Sequence, residues 1–172
     1  MNWFFDTSVL VAAAVTSHPH NAQALGTLEE MLRRKHRGFS SAHSLAEFYS
    51  VLTRTPFKPS IYPGEAWQIG ETMILPHLEL VTLTAEEYTE VVRICAAEAW
   101  AGGRVHDALH LRCAQKALCD RIYRFNVKDF RALATKKLEN KINAPEIPHR
   151  FRPTFAIARF TAPITVSSTS SV

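Results

Sequence analysis

Aspartate is scarce in this chain: four residues of 172, against twelve glutamates. Acids that serve only solubility are scattered, so a few short carboxylates at the ends of apolar segments need a different reason. Cysteine is scarcer still. Cys95, Cys113 and Cys119 are odd in number, lie within helical patterns and lack metal-knuckle spacing. That argues against a disulfide framework and a Cys/His zinc site, and the three read as buried free thiols. No apolar run approaches membrane-spanning length, so no membrane role is expected. The opening Met1-Asn2-Trp3-Phe4-Phe5-Asp6 has no basic n-region, so it does not read as a signal peptide and the expected location is cytoplasmic. There is no internal repeat.

What is present suits one domain with a sizeable core, since apolar residues make up 47% of the chain. The net charge of +4 is mostly local. Residues 150–172 contain Arg150, Arg152 and Arg159 and no acid, which leaves 17 basic and 16 acidic groups, a balance of +1, in residues 1–149. The basic, Ser/Thr-rich segment 150–172 reads as a tail, partly disordered or added as an edge strand. Its charge can raise affinity for a phosphate backbone or serve solubility alone.

Within 1–149 short strands alternate with helices. Residues 2–6 read as a buried strand. Helical sequence covers 8–15 and 22–36, with Pro19 between them. Gly38-Phe39-Ser40 is a strand, and Ser41 is the N-cap of a helix that Pro56 stops. A further helix starts at Pro63 and ends at Pro76, before the alternating strand Leu78-Glu79-Leu80-Val81-Thr82-Leu83. Thr84 and Glu87 form a capping-box match for a helix that ends near Gly102-Gly103. A mostly apolar helix over 105–118 is expected to be central. It leads to a strand at 121–124, a helix over 127–138 and a last short strand near 141–143. Such alternation predicts an α/β fold with a mostly parallel sheet covered on both faces. Ligand sites in these sheets gather beyond the strands' carboxyl ends. Asp6 lies at such an end, with Asn126 and Asp129 just past another.

Asp6, Asp107 and Asp129 each adjoin an apolar segment, and Glu47 sits mid-helix beside Leu45, Ala46 and Phe48. An isolated glutamate there merely edges an apolar stripe; together with three placed aspartates it suggests a site. Gathered carboxylates repel and raise one another's pKa unless a cation sits between them. Hard oxygen donors suit Mg²⁺ or Mn²⁺, which would acidify a water and neutralise a phosphate. Ser8, two residues after Asp6, is read either as contacting a metal water or phosphate or as a helix N-cap. Asn126 is read as a neutral polar ligand or a turn residue.

Four stretches carry a resemblance to the PIN domain ribonucleases, and within them to the toxins of bacterial VapBC toxin–antitoxin pairs. They are Phe5-Asp6-Thr7-Ser8-Val9-Leu10, Ser44-Leu45-Ala46-Glu47-Phe48-Tyr49, Gly103-Arg104-Val105-His106-Asp107-Ala108-Leu109-His110 and Phe125-Asn126-Val127-Lys128-Asp129-Phe130. They stand in the family's order and spacing over about residues 2–145. The resemblance implies a PIN-like α/β/α sandwich with a four- to five-stranded parallel sheet. It also implies Mg²⁺- or Mn²⁺-dependent RNA cleavage by Asp6, Glu47, Asp107 and Asp129, a homodimer, and a cognate antitoxin as inhibitor. The chain departs from the pattern at Arg124, where Thr or Ser is common, and at His106, where an aromatic residue often stands. Arg124 is read as binding RNA phosphate or as pairing with an acid and weakening metal binding.

The alternative to a toxin nuclease is a non-catalytic PIN-like protein that binds RNA or a partner. A phosphatase with Asp6 as nucleophile ranks last, because Ser8 stands where a second aspartate is wanted. His110 lies one helical turn from Asp107, and a hydrogen-bonded core role is the favoured reading for it. His18 and His20 read as exposed loop residues. Arg33, Arg34, Lys35 and Arg37 read as a solvated helix end whose charge suits the dipole.

Overall fold

The computed structural model describes residues 1–148, so the tail expected at 150–172 lies outside the described residues. Five strands alternate with helices as the patterning predicts. They are β1 (Asn2–Phe5), β2 (Arg37–Ser41), β3 (Leu78–Val81), β4 (Arg121–Tyr123) and β5 (Ile142–Asn143). Every pairing is parallel, in the order β3-β2-β1-β4-β5. The central strand is therefore β1, the first of these five in chain order, and the strand order reverses beside it. That reversal opens a crevice at the carboxyl ends of β1 and β4, where parallel sheets bind ligands.

Alternation along β1 divides the core. Trp3 and Phe5 pack with α1 (Thr7–Ala14), α2 (Asn21–Arg33) and α3 (Ala42–Arg54) on one face. Phe4 faces the other side with Phe39, Ile122 and Leu111 of α6 (Arg104–Lys116). Phe4 and Phe5 are fully buried, and burial of such a side chain contributes about 1.5–3 kcal/mol. A strand apolar on both faces can occupy only the middle of a sandwich. Layers of helix, sheet and helix result, with α5 (Ala85–Ala97) packed through Val91 and Cys95 on Ala108 and Leu109 of α6.

Local signals set the helix starts. Ser41 caps α3 by accepting the Ser44 N–H. Thr84 and Glu87 close the capping box of α5. Helix α6, expected to be central, is buried through its middle at Ala108–Leu111, Cys113 and Ala114, while Arg104, His106, Gln115 and Lys116 are exposed. Three elements differ from expectation. The segment from Pro63 is an α-helix, α4 (Pro63–Ile69), that loosens into a π turn at Gly70–Ile74. Helix α5 stops at Ala97, and the chain reverses through Ala99 at φ 51°. The single helix expected over 127–138 is two, α7 (Val127–Leu133) and α8 (Lys136–Glu139), because Ala134 and Thr135 are extended. Cys95, Cys113 and Cys119 are buried free thiols, and burial pushes Cys113 and Cys119 up to about 12. Among the described residues no helix is long and apolar enough to cross a membrane.

Candidate active site

The chain leaves β1 at Asp6, which is 2% exposed. Its Oδ2 accepts hydrogen bonds from the Ser8 N–H at 3.1 Å and the Ser8 hydroxyl at 2.7 Å. Asp6 itself is therefore the N-cap of α1. Ser8, expected as either a cap or a ligand, instead fixes the carboxylate that caps. One oxygen of Asp6 is used in this way, and Oδ1 turns to the crevice.

Arg124 follows β4, beside the end of β1. Its Nη1 lies 2.6 Å from Asp107 Oδ1 and 3.4 Å from Asp6 Oδ1. Asp107 comes from the first turn of α6. The guanidinium also lies over the Phe130 ring, 4.6 Å from its centroid. Its buried Nε finds no hydrogen-bond partner among the described residues. Of the two readings of Arg124, pairing with acids is the one observed. Burial draws the Asp107 carboxyl above its ordinary range; Arg124 opposes that rise, and the charge of Asp6 adds to it.

Glu47 enters from α3. Its Oε2 accepts from the Thr7 hydroxyl at 2.6 Å and faces His110 Nε2 at 2.9 Å. A carboxylate only accepts, so Nε2 carries the hydrogen. His110 Nε2 also lies 3.8 Å from Asp6 Oδ1, which places Glu47 and Asp6 on either side of one ring. The ring is 1% exposed and is held at Nδ1 by Ser41 Oγ at 2.8 Å and Ser44 Oγ at 3.3 Å. The core role favoured for His110 is thus correct, and the residue also borders the site. Burial raises the Glu47 carboxyl, but hydrogen bonds from His110 and Thr7 and the nearby His110 and His43 outweigh it and hold it at about 2.

Asp6, Glu47, Asp107 and Arg124 all line one cleft of about 550 Å³. Four segments, far apart in sequence, therefore converge as the sheet topology requires. Asp129 is placed differently. It is exposed in the first turn of α7, accepts from Asn126 Nδ2 at 2.6 Å, and does not line the cleft. Asn126 caps α7, its Oδ1 accepting the Asp129 N–H at 3.4 Å, so it is a turn residue here. Sequence reasoning missed Thr7, Arg54 and His43, all of which line the cleft. Thr7 directly follows Asp6, and an N-terminal turn that exposes one side chain to the site is the only signal that could have raised it.

The donor set fits a hard divalent cation. Asp6 and Asp107 offer oxygens toward a common point, and both are desolvated enough to need a counter-charge. Arg124 supplies that charge here, so the guanidinium and a cation are alternative partners for the same two oxygens.

A family model described as PIN domain matches residues 3–136. Solved structures similar to this chain include Mycobacterium tuberculosis VapC20, a sarcin–ricin loop cleaving toxin. It is 18% identical with a TM-score of 0.59, over 76% of this chain and 93% of that one. Another is Rickettsia felis VapBC2 bound to a DNA fragment from their promoter, 18% identical with a TM-score of 0.57, over 84% of this chain and 98% of that one. No curated protein matches the sequence significantly.

Proposed function

The chain belongs to the PIN domain family, and from that premise we propose that it is a metal-dependent endoribonuclease, the toxin of a type II toxin–antitoxin pair. The observation that carries this reading is the convergence of Asp6, Glu47 and Asp107 in one cleft at the sheet's switch point. Asp6 and Asp107 are the residues that would hold Mg²⁺ or Mn²⁺, and Asp129 would join them from the rim of α7. A bound divalent ion supplies Lewis-acid charge on the phosphate and lowers the pKa of water.

The residues do the positioning. His110 and Thr7 fix Glu47 through Oε2, which leaves the carboxylate oriented to direct a water at phosphorus. Hydrolysis forms one P–O bond to that water and breaks another to the leaving ribose oxygen. Arg54 puts positive charge in the cleft, where a phosphate of the substrate can pair with it, and a cation on Asp6 and Asp107 would release Arg124 for the same role. Substrate would be RNA. The regulator would be a cognate antitoxin, a reading supported by the VapBC likeness, and the working unit a cytoplasmic homodimer.

One observation favours a second reading. Arg124 already pairs with Asp107 and reaches Asp6, as expected of a PIN-like protein that binds RNA or a partner without cutting. Antitoxin-free protein incubated with RNA and Mn²⁺ separates the two. The nuclease cleaves, and Asp6→Asn and Asp107→Asn abolish cleavage with the fold intact; Asp129→Asn reports whether the fourth acid takes part. Protein that binds RNA but leaves it whole in Mn²⁺ and Mg²⁺ supports the binder.

A further inference from the structure

Beside the acids, two helices bring a different kind of donor together. His43 and Glu47 are four residues apart on α3 and so share one face. His106 comes from the first turn of α6. His43 Nε2 and His106 Nδ1 are 2.8 Å apart, with the rings nearly parallel at 12° and their centroids 4.8 Å apart. Glu47 Oε1 lies 3.6 Å from the same His43 nitrogen. All three donor atoms fall within 4.8 Å of one another.

The bonding of Glu47 makes this trio more than a chance cluster. Thr7 and His110 both engage Oε2, and among the described residues Oε1 receives no hydrogen bond. An anionic oxygen therefore stands beside two imidazole nitrogens that share a single hydrogen between them. A metal ion that replaced that hydrogen would gain all three donors. Bond lengths of 2.0–2.2 Å in a tetrahedral site separate donors by about 3.3 Å. The present spacings bracket that value, so small side-chain rotations would complete the shell.

We propose that His43, Glu47 and His106 form a binding site for a borderline transition-metal ion, Zn²⁺ above all, at the mouth of the cleft and separate from the all-carboxylate position. Two imidazoles and one carboxylate prefer such an ion to Mg²⁺, which takes oxygen donors and keeps its water. Water would fill the fourth position. An ion there would engage the free oxygen of Glu47 and stand across the entrance, so Zn²⁺ would oppose whatever the cleft does. The site goes beyond the nuclease reading and does not depend on it.

The test is titration of the full-length, metal-stripped protein with Zn²⁺ by calorimetry, and with Co²⁺ by its visible absorption. Expected is one ion per chain, with a Co²⁺ spectrum of low-coordinate nitrogen and oxygen donors. His106→Phe and the double variant His43→Asn/His106→Asn should weaken binding at least tenfold. Circular dichroism checks their fold, and His106 is exposed, so its replacement leaves the core alone. Asp6→Asn and Asp107→Asn should keep the affinity within about twofold. No binding by the wild type overturns the proposal, as does binding that survives loss of both histidines. Binding lost with Asp107→Asn also overturns it, because the ion would then sit among the acids; none of these outcomes bears on RNA cleavage.

Discussion

Replacing Arg124 by Met tests the electrostatics of the cleft most directly. The substitution keeps much of the stem but removes the one guanidinium that, among the described residues, touches Asp6 and Asp107. Side-chain exposure is 16% for Arg124, 4% for Asp6 and 17% for Asp107, so the pair lies closer to the buried than to the surface regime. Removing one partner of a buried pair typically costs about 3–5 kcal/mol. Lost stacking on Phe130 adds about 0.5–1 kcal/mol. Asp107 can relieve part of this by taking a proton, because burial and Asp6 already draw its pKa upward. A net loss of about 3 kcal/mol near neutral pH is therefore expected, or roughly 6–12 °C in melting temperature for a domain of this size. The sign of the pH effect follows from the same proton. Without Arg124 the folded-state pKa of Asp107 rises further above its unfolded value, so the deficit should shrink as pH falls through that range. Mn²⁺ should restore what Arg124 supplied, by about 2.7 kcal/mol at a hundredfold excess over its Kd. The assay is thermal unfolding of wild type and variant with and without Mn²⁺, together with Mn²⁺ titration. The variant should bind Mn²⁺ more tightly than wild type. A variant as stable as wild type in the absence of metal, with the same Mn²⁺ affinity, would refute the claim that Arg124 and a cation are alternative partners.

Three further outcomes are expected. Ser41→Ala removes the α3 cap and the hydroxyl 2.8 Å from His110 Nδ1; it should cost about 1–2 kcal/mol in chemical denaturation, and a loss below about 0.3 kcal/mol would contradict this role. Glu47 is held at about 2 when folded, well below its unfolded value, so it stabilises the fold above about pH 4.5 and loses that contribution as pH falls toward 2; its side chain is 27% exposed, so about 1–2 kcal/mol of acid-labile stability is expected after solvent screening, and Glu47→Gln should flatten that part of the pH–stability curve. A Cβ at Gly38 would press on Leu78 Cδ2 and sit 2.5 Å from Met31 Sδ, so Gly38→Ala should destabilise by about 1–3 kcal/mol, read as a lower melting temperature with an unchanged circular dichroism spectrum.

Much of the fold was legible because its signals are local. Ser41 and the Thr84–Glu87 box mark helix starts through hydrogen bonds that span three residues. The apolar run 2–6 marks a strand buried on both faces. Asp6, Glu47 and Asp107 stood out because carboxylates are rare in apolar company, and parallel-sheet topology supplied a reason for them to meet. Long-range orientation was not legible. Asp129 is close in sequence to β4, yet its side chain turns to Asn126. The sequence left Arg124 with two readings, because only the spacing of β1, β4 and α6 decides what a guanidinium reaches. His43 and His106 are 63 positions apart on two helices, and no periodicity within either helix encodes where they cross.

The placement of β1 in mid-sheet has a temporal consequence. A chain emerging from the ribosome presents its first strand long before the neighbour on one flank exists, since Arg121–Tyr123 are made more than a hundred residues later. Asp6 then has neither Asp107 nor Arg124 opposite it, and the acidic hollow has only one wall. The cleft that Asp6, Glu47, Asp107 and Arg124 line together is therefore completed only once nearly the whole domain has been synthesised.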